Sequence, residues 1–225
     1  MSDFILAGLF TEGNTDDRFL ESVVKRTLDI VAFDCTGDID IELKIIKIDK
    51  AGLSFEEQVL EVSKTALEKF SVLLFFVHTD ADNVDDVSIF ESKIKPAQML
   101  LANQDEKLYC KEMVAIVPIQ MTESWMIADK KLLKEEIGID KTDAELGIHL
   151  NPEKLNDPKS IIRDIIRLSK EDTTKRKRNR GLTISDLYQI MGQKIELDEL
   201  EKLSSYKKFK NSLIEKLKEL NFYHN

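Results

Sequence analysis

The sequence predicts an α/β protein with a mainly parallel sheet, helices on both faces of that sheet, and a C-terminal helical appendage. Short apolar runs alternate with stretches of helical periodicity between residues 4 and 128, and this alternation is typical of parallel sheets. The run from Val72 to Val77 has six apolar residues in succession, as in a strand that is buried on both faces. After Gly138 we find helical patterns and no strand-like run.

The first half of the predicted sheet domain contains two strands and two helices. Phe4–Phe10 is apolar and β-prone, and Thr15 is a good N-cap for the helix that follows. The second strand is Ile41–Ile48. Ser54 then opens a capping box, S-x-x-E, which predicts the start of a helix that runs to Phe70.

The second half repeats this order. The buried strand Val72–Val77 is followed by an acidic loop and by a helix over Val87–Ala102. The fourth strand is Met113–Ile119, and Pro118 near its end suits a strand terminus better than a central position. Thr122 is expected to cap the next helix.

The change of pattern after Gly138 divides the chain into a predicted α/β domain, residues 1–138, and a helical C-terminal region, residues 139–225. We expect helices there from Pro158 to Ser169, from Thr183 to Met191 and from Glu196 to Leu220. A dense basic block lies between the first two, and it consists of Lys175, Arg176, Lys177, Arg178 and Arg180.

Composition restricts the class of protein. The net charge of −9 argues against a protein that coats nucleic acid, whereas the basic block fits either a local contact to an anion or a solvated loop. No apolar run reaches the roughly 18 residues of a membrane span. Cys35 and Cys110 imply no disulfide framework, and Asp3 makes the N-terminus a poor signal peptide, so we expect a cytoplasmic protein.

Acidic residues follow three of the four predicted strands. Because the carboxyl ends of parallel strands meet at one edge, where open α/β folds bind ligands, we expect these acids to converge. Carboxylates forced together raise each other's pKa, and a divalent cation removes their repulsion. Oxygen ligands with few His or Cys nearby favour Mg²⁺ or Mn²⁺ over zinc. The acids are Glu12 and Asp16 after the first strand, Asp80 and Asp82 after the third, and Glu123 and Asp129 after the fourth.

Each of these acids has a plainer explanation when it is taken alone. Asp16 and Glu123 could be ordinary N-terminal acids of helices, and Asp80 and Asp82 could shape a turn. His78, beside the acids, is more typical of a hydrogen-bonded residue at a strand end than of a ligand. The chain lacks G-x-G-x-x-G, G-x-x-x-x-G-K-[ST] and G-x-S-x-G motifs, which excludes a nucleotide-binding loop or a serine nucleophile of those types.

Three motifs in order resemble the Toprim domain, the metal-binding module of topoisomerases, bacterial primases and overcoming-lysogenization-defect (OLD) nucleases. The first is EGNTD, Glu12 to Asp16, which is followed by Phe19 and Leu20. The second is HTDAD, His78 to Asp82, and the third runs from Pro118 to Asp129 with Glu123 and Trp125. The resemblance covers about residues 4–130. Within the Toprim group, the chain most resembles a bacterial Toprim-like family related to OLD nucleases. It implies a Toprim/Rossmann-like sheet.

The resemblance also implies roles for particular residues. Glu12 would be a metal ligand or the general acid/base, and Asp80 and Asp82 would hold Mg²⁺. Asp16 matches a position that helps to ligate metal in OLD-type nucleases, and Glu123 could complete a second metal site. The chain has no tyrosine in a topoisomerase-like context and nothing like the zinc or polymerase parts of a primase.

We therefore expect a Mg²⁺-dependent nuclease that cuts DNA or RNA, as the effector of a bacterial anti-phage system. Its catalytic residues would be Glu12, Asp80 and Asp82, and the basic block would hold the nucleic-acid backbone. Relatives of this kind are often partners of an ABC-type ATPase, which here would be a separate polypeptide. The alternatives are a non-catalytic module that docks on such an ATPase, or a small-molecule phosphohydrolase that uses the same acidic edge.

Overall fold

The computed structural model describes residues 3–171 and 181–223. Its centre is a four-stranded sheet with the order β2-β1-β3-β4, in which every pair of neighbours is parallel. This confirms the predicted α/β class. The strands are β1 (Asp3–Phe10), β2 (Ile39–Ile45), β3 (Leu74–His78) and β4 (Met113–Ile116).

Helices follow each strand and also recur in the described part of the C-terminal region. The predicted helix over Val87–Ala102 is present, but a π-helical turn at Phe90–Ile94 interrupts it. A short 3₁₀ turn, Pro152–Lys154, precedes the C-terminal helices. The α-helices are α1 (Asn14–Phe33), α2 (Phe55–Phe70), α3 (Val87–Ile89), α4 (Lys95–Ala102), α5 (Thr122–Ala128), α6 (Lys130–Ile137), α7 (Pro158–Glu171), α8 (Ile184–Lys194), α9 (Leu197–Leu200) and α10 (Ser204–Glu219).

Two hydrophobic clusters cover the two faces of the sheet. In β3, Leu74 and Phe76 belong to one cluster and Phe75 and Val77 to the other, as the two-residue period of a strand requires. Helices α1, α5, α7, α8 and α10 contribute to the first cluster, and α2 and α4 to the second. Both faces of the central strands are therefore buried, which explains why Val72–Val77 has no polar residue.

The strand order creates a switch point between β1 and β3. The chain leaves β1 toward β2 on one side, and then returns to place β3 on the other side of β1. Phe10 pairs with Val77 at the ends of the two strands, so the loops that carry Glu12 and Asp80 begin side by side. Crevices at such points are where open α/β sheets bind ligands.

The C-terminal helices share a continuous core with the α/β part. Trp125 of α5 is fully buried, and its ring centroid lies 5.3 Å from that of Tyr206 and 6.2 Å from that of Phe209. Gly192 of α8 packs so closely on α1 that a Cβ at this position would lie 2.4 Å from the carbonyl oxygen of Phe19. The first cluster thus contains residues from both regions that the sequence distinguishes.

Two predicted caps were wrong, and one was confirmed. Helix α1 begins at Asn14 with extended Gly13 as its N-cap, because the Gly13 carbonyl already accepts the Asp17 N–H at 3.2 Å, which places Thr15 within the first turn. Thr122 is the first residue of α5 and Met121 is the cap. The capping box at Ser54 is present.

The strand ends also differ from the predicted ones. Strand β4 ends at Ile116 rather than Ile119, since Pro118 has no N–H to continue the ladder. Strand β2 is shifted toward the N-terminus and ends at Ile45, because its neighbour β1 ends at Phe10 and offers only one further bond, from Ile46 N–H to the Leu9 carbonyl at 2.8 Å. Among the described helices, none has the length and apolar character needed to cross a bilayer.

Candidate functional site

The loops after β1 and β3 meet at the switch point. The Thr79 hydroxyl, which is fully buried, donates a hydrogen bond to Glu12 Oε1 at 2.5 Å. This bond joins residues that are 67 positions apart in the chain, and it places Glu12 directly beside the loop that carries Asp80 and Asp82. The expected convergence of the first and third strand ends is therefore present.

Lys50 organises the loop after β1 from the end of the neighbouring strand. Its ammonium group donates to the backbone carbonyls of Thr11 at 2.7 Å and Glu12 at 2.8 Å. Burial and the nearby charge of Lys47 lower the pKa of Lys50, although negative groups, including Glu12, oppose this. The backbone of the Glu12 loop is therefore fixed, whereas its carboxylate is exposed.

Asp16 lies in the first turn of α1, where burial and neighbouring acids disfavour the ionised form of its carboxyl group. The pKa of the Asp16 carboxyl is raised to about 6, with burial as the largest cause. The charge of His78 lowers this pKa. The charges of Asp80, Glu123 and Glu12 raise it, which means that all three predicted acidic positions act on Asp16.

His78 and Thr122 fix the carboxylate of Asp80. His78 is fully buried at the end of β3, and its Nε2 lies 3.1 Å from Asp80 Oδ1. The same oxygen accepts the Thr122 N–H at 2.9 Å and the Thr122 hydroxyl at 3.2 Å. Burial lowers the pKa of His78, but the hydrogen bond and charge of Asp80, together with the charges of Asp16 and Glu12, outweigh burial, so that the net pKa is raised.

Asp82 is the exposed member of the pair of aspartates. Its backbone adopts the left-handed conformation with φ of 50°, which is uncommon outside glycine but is tolerated by aspartate better than by most residues. Its N–H donates to the carbonyl of Gln120, itself at φ of 64°, at 2.8 Å. Burial is the main cause that raises the pKa of Asp82, and the charges of Asp80 and Glu12 add to it.

Lys93 brings a positive charge to the same edge from the π-helical turn. Its ammonium group donates to the Thr79 hydroxyl at 3.2 Å and lies 3.9 Å from Glu12 Oε1. Its charge opposes the rise in the pKa of Asp82. Because π-helical turns widen a helix locally and are frequent at functional sites, we regard this turn as the element that positions Lys93.

Glu123 is buried at the other end of the acidic group and is already paired. It is 2% exposed. The Tyr188 hydroxyl of α8 donates to its Oε1 in a short hydrogen bond, and Lys159 Nζ of α7 lies 3.1 Å from the same oxygen. Both partners come from the C-terminal helices.

The structure therefore brings five of the predicted residues to one edge, Glu12, Asp16, Asp80, Asp82 and Glu123. Asp129 serves elsewhere, because its carboxylate caps α6 through the Leu132 N–H at 2.9 Å and accepts the Glu196 N–H at 3.3 Å. The predicted nucleic-acid-binding block, Lys175, Arg176, Lys177, Arg178 and Arg180, lies outside the described residues.

The donors at this edge suit a hard divalent cation in their chemistry, since carboxylate oxygens are the ligands that Mg²⁺ and Mn²⁺ prefer. Their arrangement is incomplete: within residues 3–171 and 181–223, no group of three or more His, Cys, Asp and Glu side chains is placed so that it could hold a metal ion. The carboxylates of Glu12 and Asp82 are exposed. Binding of a cation would therefore require these side chains to rotate toward a shared point.

Sequence reasoning missed the lysines and hydroxyl groups of the site. Lys50 carried a signal, because it follows a predicted strand and so belongs to the same edge. Lys93, Lys159 and Tyr188 carried none, since they lie within helices and no local pattern separates them from ordinary surface or core residues. Only the packing of the helices shows that they reach the acids.

A cavity of about 690 Å³ lies away from this edge, between α6 and the segments around His149, Lys194 and Leu203. Ion pairs stand at or beside its walls, such as Lys134 with Asp143 at 2.7 Å. The acidic edge itself is an open surface at Glu12 and Asp82, and this shape suits a polymeric substrate better than an enclosed small molecule.

Comparisons of the chain with protein-family models, with curated proteins and with solved structures gave no match. A functional assignment therefore depends on the geometry of the acidic edge and on the motifs that occupy it.

Proposed function

We propose that the protein is a Mg²⁺- or Mn²⁺-dependent nuclease that hydrolyses phosphodiester bonds of DNA or RNA. The observation that carries this proposal is the convergence of acids at the β1–β3 switch point, where the Thr79 hydroxyl of the loop with Asp80 and Asp82 donates to Glu12 Oε1 at 2.5 Å. Burial together with the charges of Asp80 and Glu12 raises the pKa values of Asp16 and Asp82. A divalent cation at this edge would remove the cost of keeping these carboxylates ionised and close together.

The residues have separable roles in this proposal. Glu12, Asp80 and Asp82 would hold the metal and carry catalysis, with Asp16 as a further ligand beside them. When bound, the metal would polarise the scissile phosphate and activate the attacking water. Thr79 orients Glu12 through its hydroxyl, while His78 and Thr122 orient Asp80 through contacts of 2.9 to 3.2 Å.

Charge and exposure support a nucleic-acid substrate. An acidic edge alone would repel a phosphate backbone, but the ammonium groups of Lys93 and Lys159 lie against the acids. The basic block at Lys175–Arg180 would add contacts to the backbone that do not depend on sequence. Because the motifs resemble those of Toprim-like nucleases, we further propose that the protein is the effector of an anti-phage system that works with a separate ABC-type ATPase.

A cleavage assay tests the proposal. Purified protein is incubated with single- and double-stranded DNA and with tRNA, in Mg²⁺, Mn²⁺ or EDTA. We expect cleavage that requires the metal and falls at least about 100-fold in Glu12→Gln and Asp80→Asn, as for lost charge-stabilising groups. Glu68→Gln, an exposed acid of α2, is the matched control and should retain activity.

Two results would contradict the proposal. One is the absence of cleavage in every metal and on every substrate. The other is cleavage that persists in Glu12→Gln at the level of the control, which would indicate a contaminating nuclease.

A non-catalytic module that docks on the ATPase is the second candidate. It is favoured by the lysines: Lys93 and Lys159 already offset the charges of Glu12 and Glu123, and no three-ligand group is assembled in the described part of the chain. Under this alternative, saturating Mg²⁺ leaves the unfolding temperature unchanged, whereas a ligand bound at 100 times its Kd adds about 2.7 kcal/mol.

A further inference from the structure

The buried carboxylate of Glu123 depends on the C-terminal helices for its partners. Its side chain is 3% exposed, and an ionised carboxylate at that depth is costly unless it is paired and hydrogen-bonded. Lys159 Nζ, 3.1 Å away, supplies the opposite charge, and the Tyr188 hydroxyl supplies a hydrogen bond. Both contacts converge on a single oxygen, Oε1.

The position of Lys159 at the N-terminus of α7 also indicates that its charge is there to pair with Glu123. It is the second residue of α7, where the helix dipole disfavours a positive charge. Its contact with Glu123 offsets this disadvantage. The side chain of Lys159 is 40% exposed, so the lysine contacts the buried acid while part of its side chain is open to solvent.

We propose that Lys159 takes the place of a second metal ion at this edge, so that the protein binds one divalent cation and not two. The inference rests on the proposed function, because it presumes a metal at the Glu12, Asp80 and Asp82 end. Glu123 is then a positioning residue that holds Lys159 toward the site and does not ligate metal. The C-terminal region completes the site through Lys159 and Tyr188.

Coordination chemistry supports exclusion of a second ion from Glu123. Mg²⁺ requires six ligands in near-octahedral geometry and usually retains several waters. Oε1 of the nearly buried Glu123 side chain already has Lys159 and Tyr188 as partners, so that no position at this oxygen is free for an ion with its waters while the ammonium group of Lys159 is present. A second ion would have to displace Lys159 from Glu123, and it would also disrupt the hydrogen bond from Tyr188 to the same oxygen.

The stoichiometry of Mn²⁺ binding tests this inference without any measurement of activity. Free Mn²⁺ is titrated by electron paramagnetic resonance against the full chain. We expect one ion per chain for the wild type, one for Lys159→Arg, and two for Lys159→Met, in which the unpaired Glu123 becomes available. Lys154→Met removes an exposed lysine outside the site and should still bind one ion.

A second variant keeps the test decisive if Lys159→Met does not fold. Glu123→Gln should bind one Mn²⁺ with a Kd within about threefold of the wild-type value, because Glu123 is not a ligand. Loss of that ion in Glu123→Gln would overturn the inference, as would two ions in the wild type or one in a folded Lys159→Met. No bound ion in the wild type would instead overturn the proposed function.

Discussion

Asp16 is the residue at which the helix dipole and burial act most clearly in opposite directions on one carboxyl group. It lies in the first turn of α1, where the helix dipole favours a carboxylate, yet burial and the neighbouring acids raise its pKa to about 6. Gly13 leaves room for it, since a Cβ there would lie 3.0 Å from Asp16 Oδ2. A carboxylate that served only to complement the helix dipole would not need to lie among other acids.

The raised pKa of Asp16 predicts how stability depends on pH without metal. The folded carboxyl binds its proton more tightly than the unfolded one, whose pKa is 3.8. The stability it contributes is therefore present below pH 4 and lost as pH rises through about 6. Asp16→Asn lacks this loss, so we expect the variant to gain about 2 kcal/mol relative to wild type between pH 4.5 and 7.5.

Urea unfolding of both proteins at the two pH values, in EDTA, measures this difference. The charge of Asp16 is also one of the causes that raise the pKa of His78, so the measured difference reports the two coupled groups together. A constant difference between the variant and the wild type across the pH range would show that Asp16 is not strained. Addition of Mg²⁺ at pH 7.5 should then stabilise the wild type more than Asp16→Asn.

At the scale of elements, the close contact between α8 and α1 connects the C-terminal helices to the acidic edge. α1 carries Asp16 in its first turn, and α8 carries Tyr188, whose hydroxyl contacts Glu123. Gly192 permits this approach because it has no Cβ to meet the backbone of Phe19. Any change that separates the two helices should therefore disturb the site as well as the core.

Gly192→Ala tests the contact. A methyl group 2.4 Å from the Phe19 carbonyl oxygen must push the helices apart, and overpacking of this kind typically costs about 1–3 kcal/mol. Gly181→Ala is the matched control, since a Cβ there would meet nothing within 4 Å. Thermal unfolding should show a clear loss for the first variant and little change for the second. Equal unfolding temperatures would mean that the helices are less closely packed.

The strands and the acids that follow them could be predicted from the sequence because both signals are local. Six apolar residues mark β3, and Asp80 and Asp82 come directly after it. The partners of Glu123 could not be predicted, because Tyr188 is 65 residues away and belongs to a different helix. The sequence also could not show that the acids lie close together without being arranged around a single point, since this depends on three-dimensional packing.

At the scale of the whole molecule, the C-terminal helices form part of the core that supports the sheet. They cover the face of the sheet that includes Leu74 and Phe76, and they enclose Trp125 through Tyr206 and Phe209. Ser205 joins the two parts directly, because its hydroxyl accepts the indole N–H of Trp125 at 2.8 Å. Glu153 holds Ser205 in place within the C-terminal region, since its carboxylate accepts four hydrogen bonds from the backbone and hydroxyl groups of Ser204 and Ser205. The change in sequence pattern at residue 138 led us to predict a domain boundary there, and this division stays a prediction.

Truncation after residue 138 should therefore prevent folding of the α/β part on its own. Trp125 is the single tryptophan of the chain, and without α10 it would lose its buried environment. We expect red-shifted fluorescence and no cooperative thermal transition for residues 1–138, with the full chain in urea as the unfolded reference. A cooperative transition with native-like fluorescence would show that this part is an independent domain.

The most direct measurement of the central claim is the anomalous diffraction of a crystal soaked in Mn²⁺. We predict one peak at the β1–β3 switch point, with oxygens of Glu12, Asp80 and Asp82 near the distance of about 2.1 Å that Mg²⁺ takes to its ligands. The ammonium group of Lys159 should remain beside Glu123 in the same crystal. A soak that leaves this edge empty, or a peak bound only by other residues, would contradict the account.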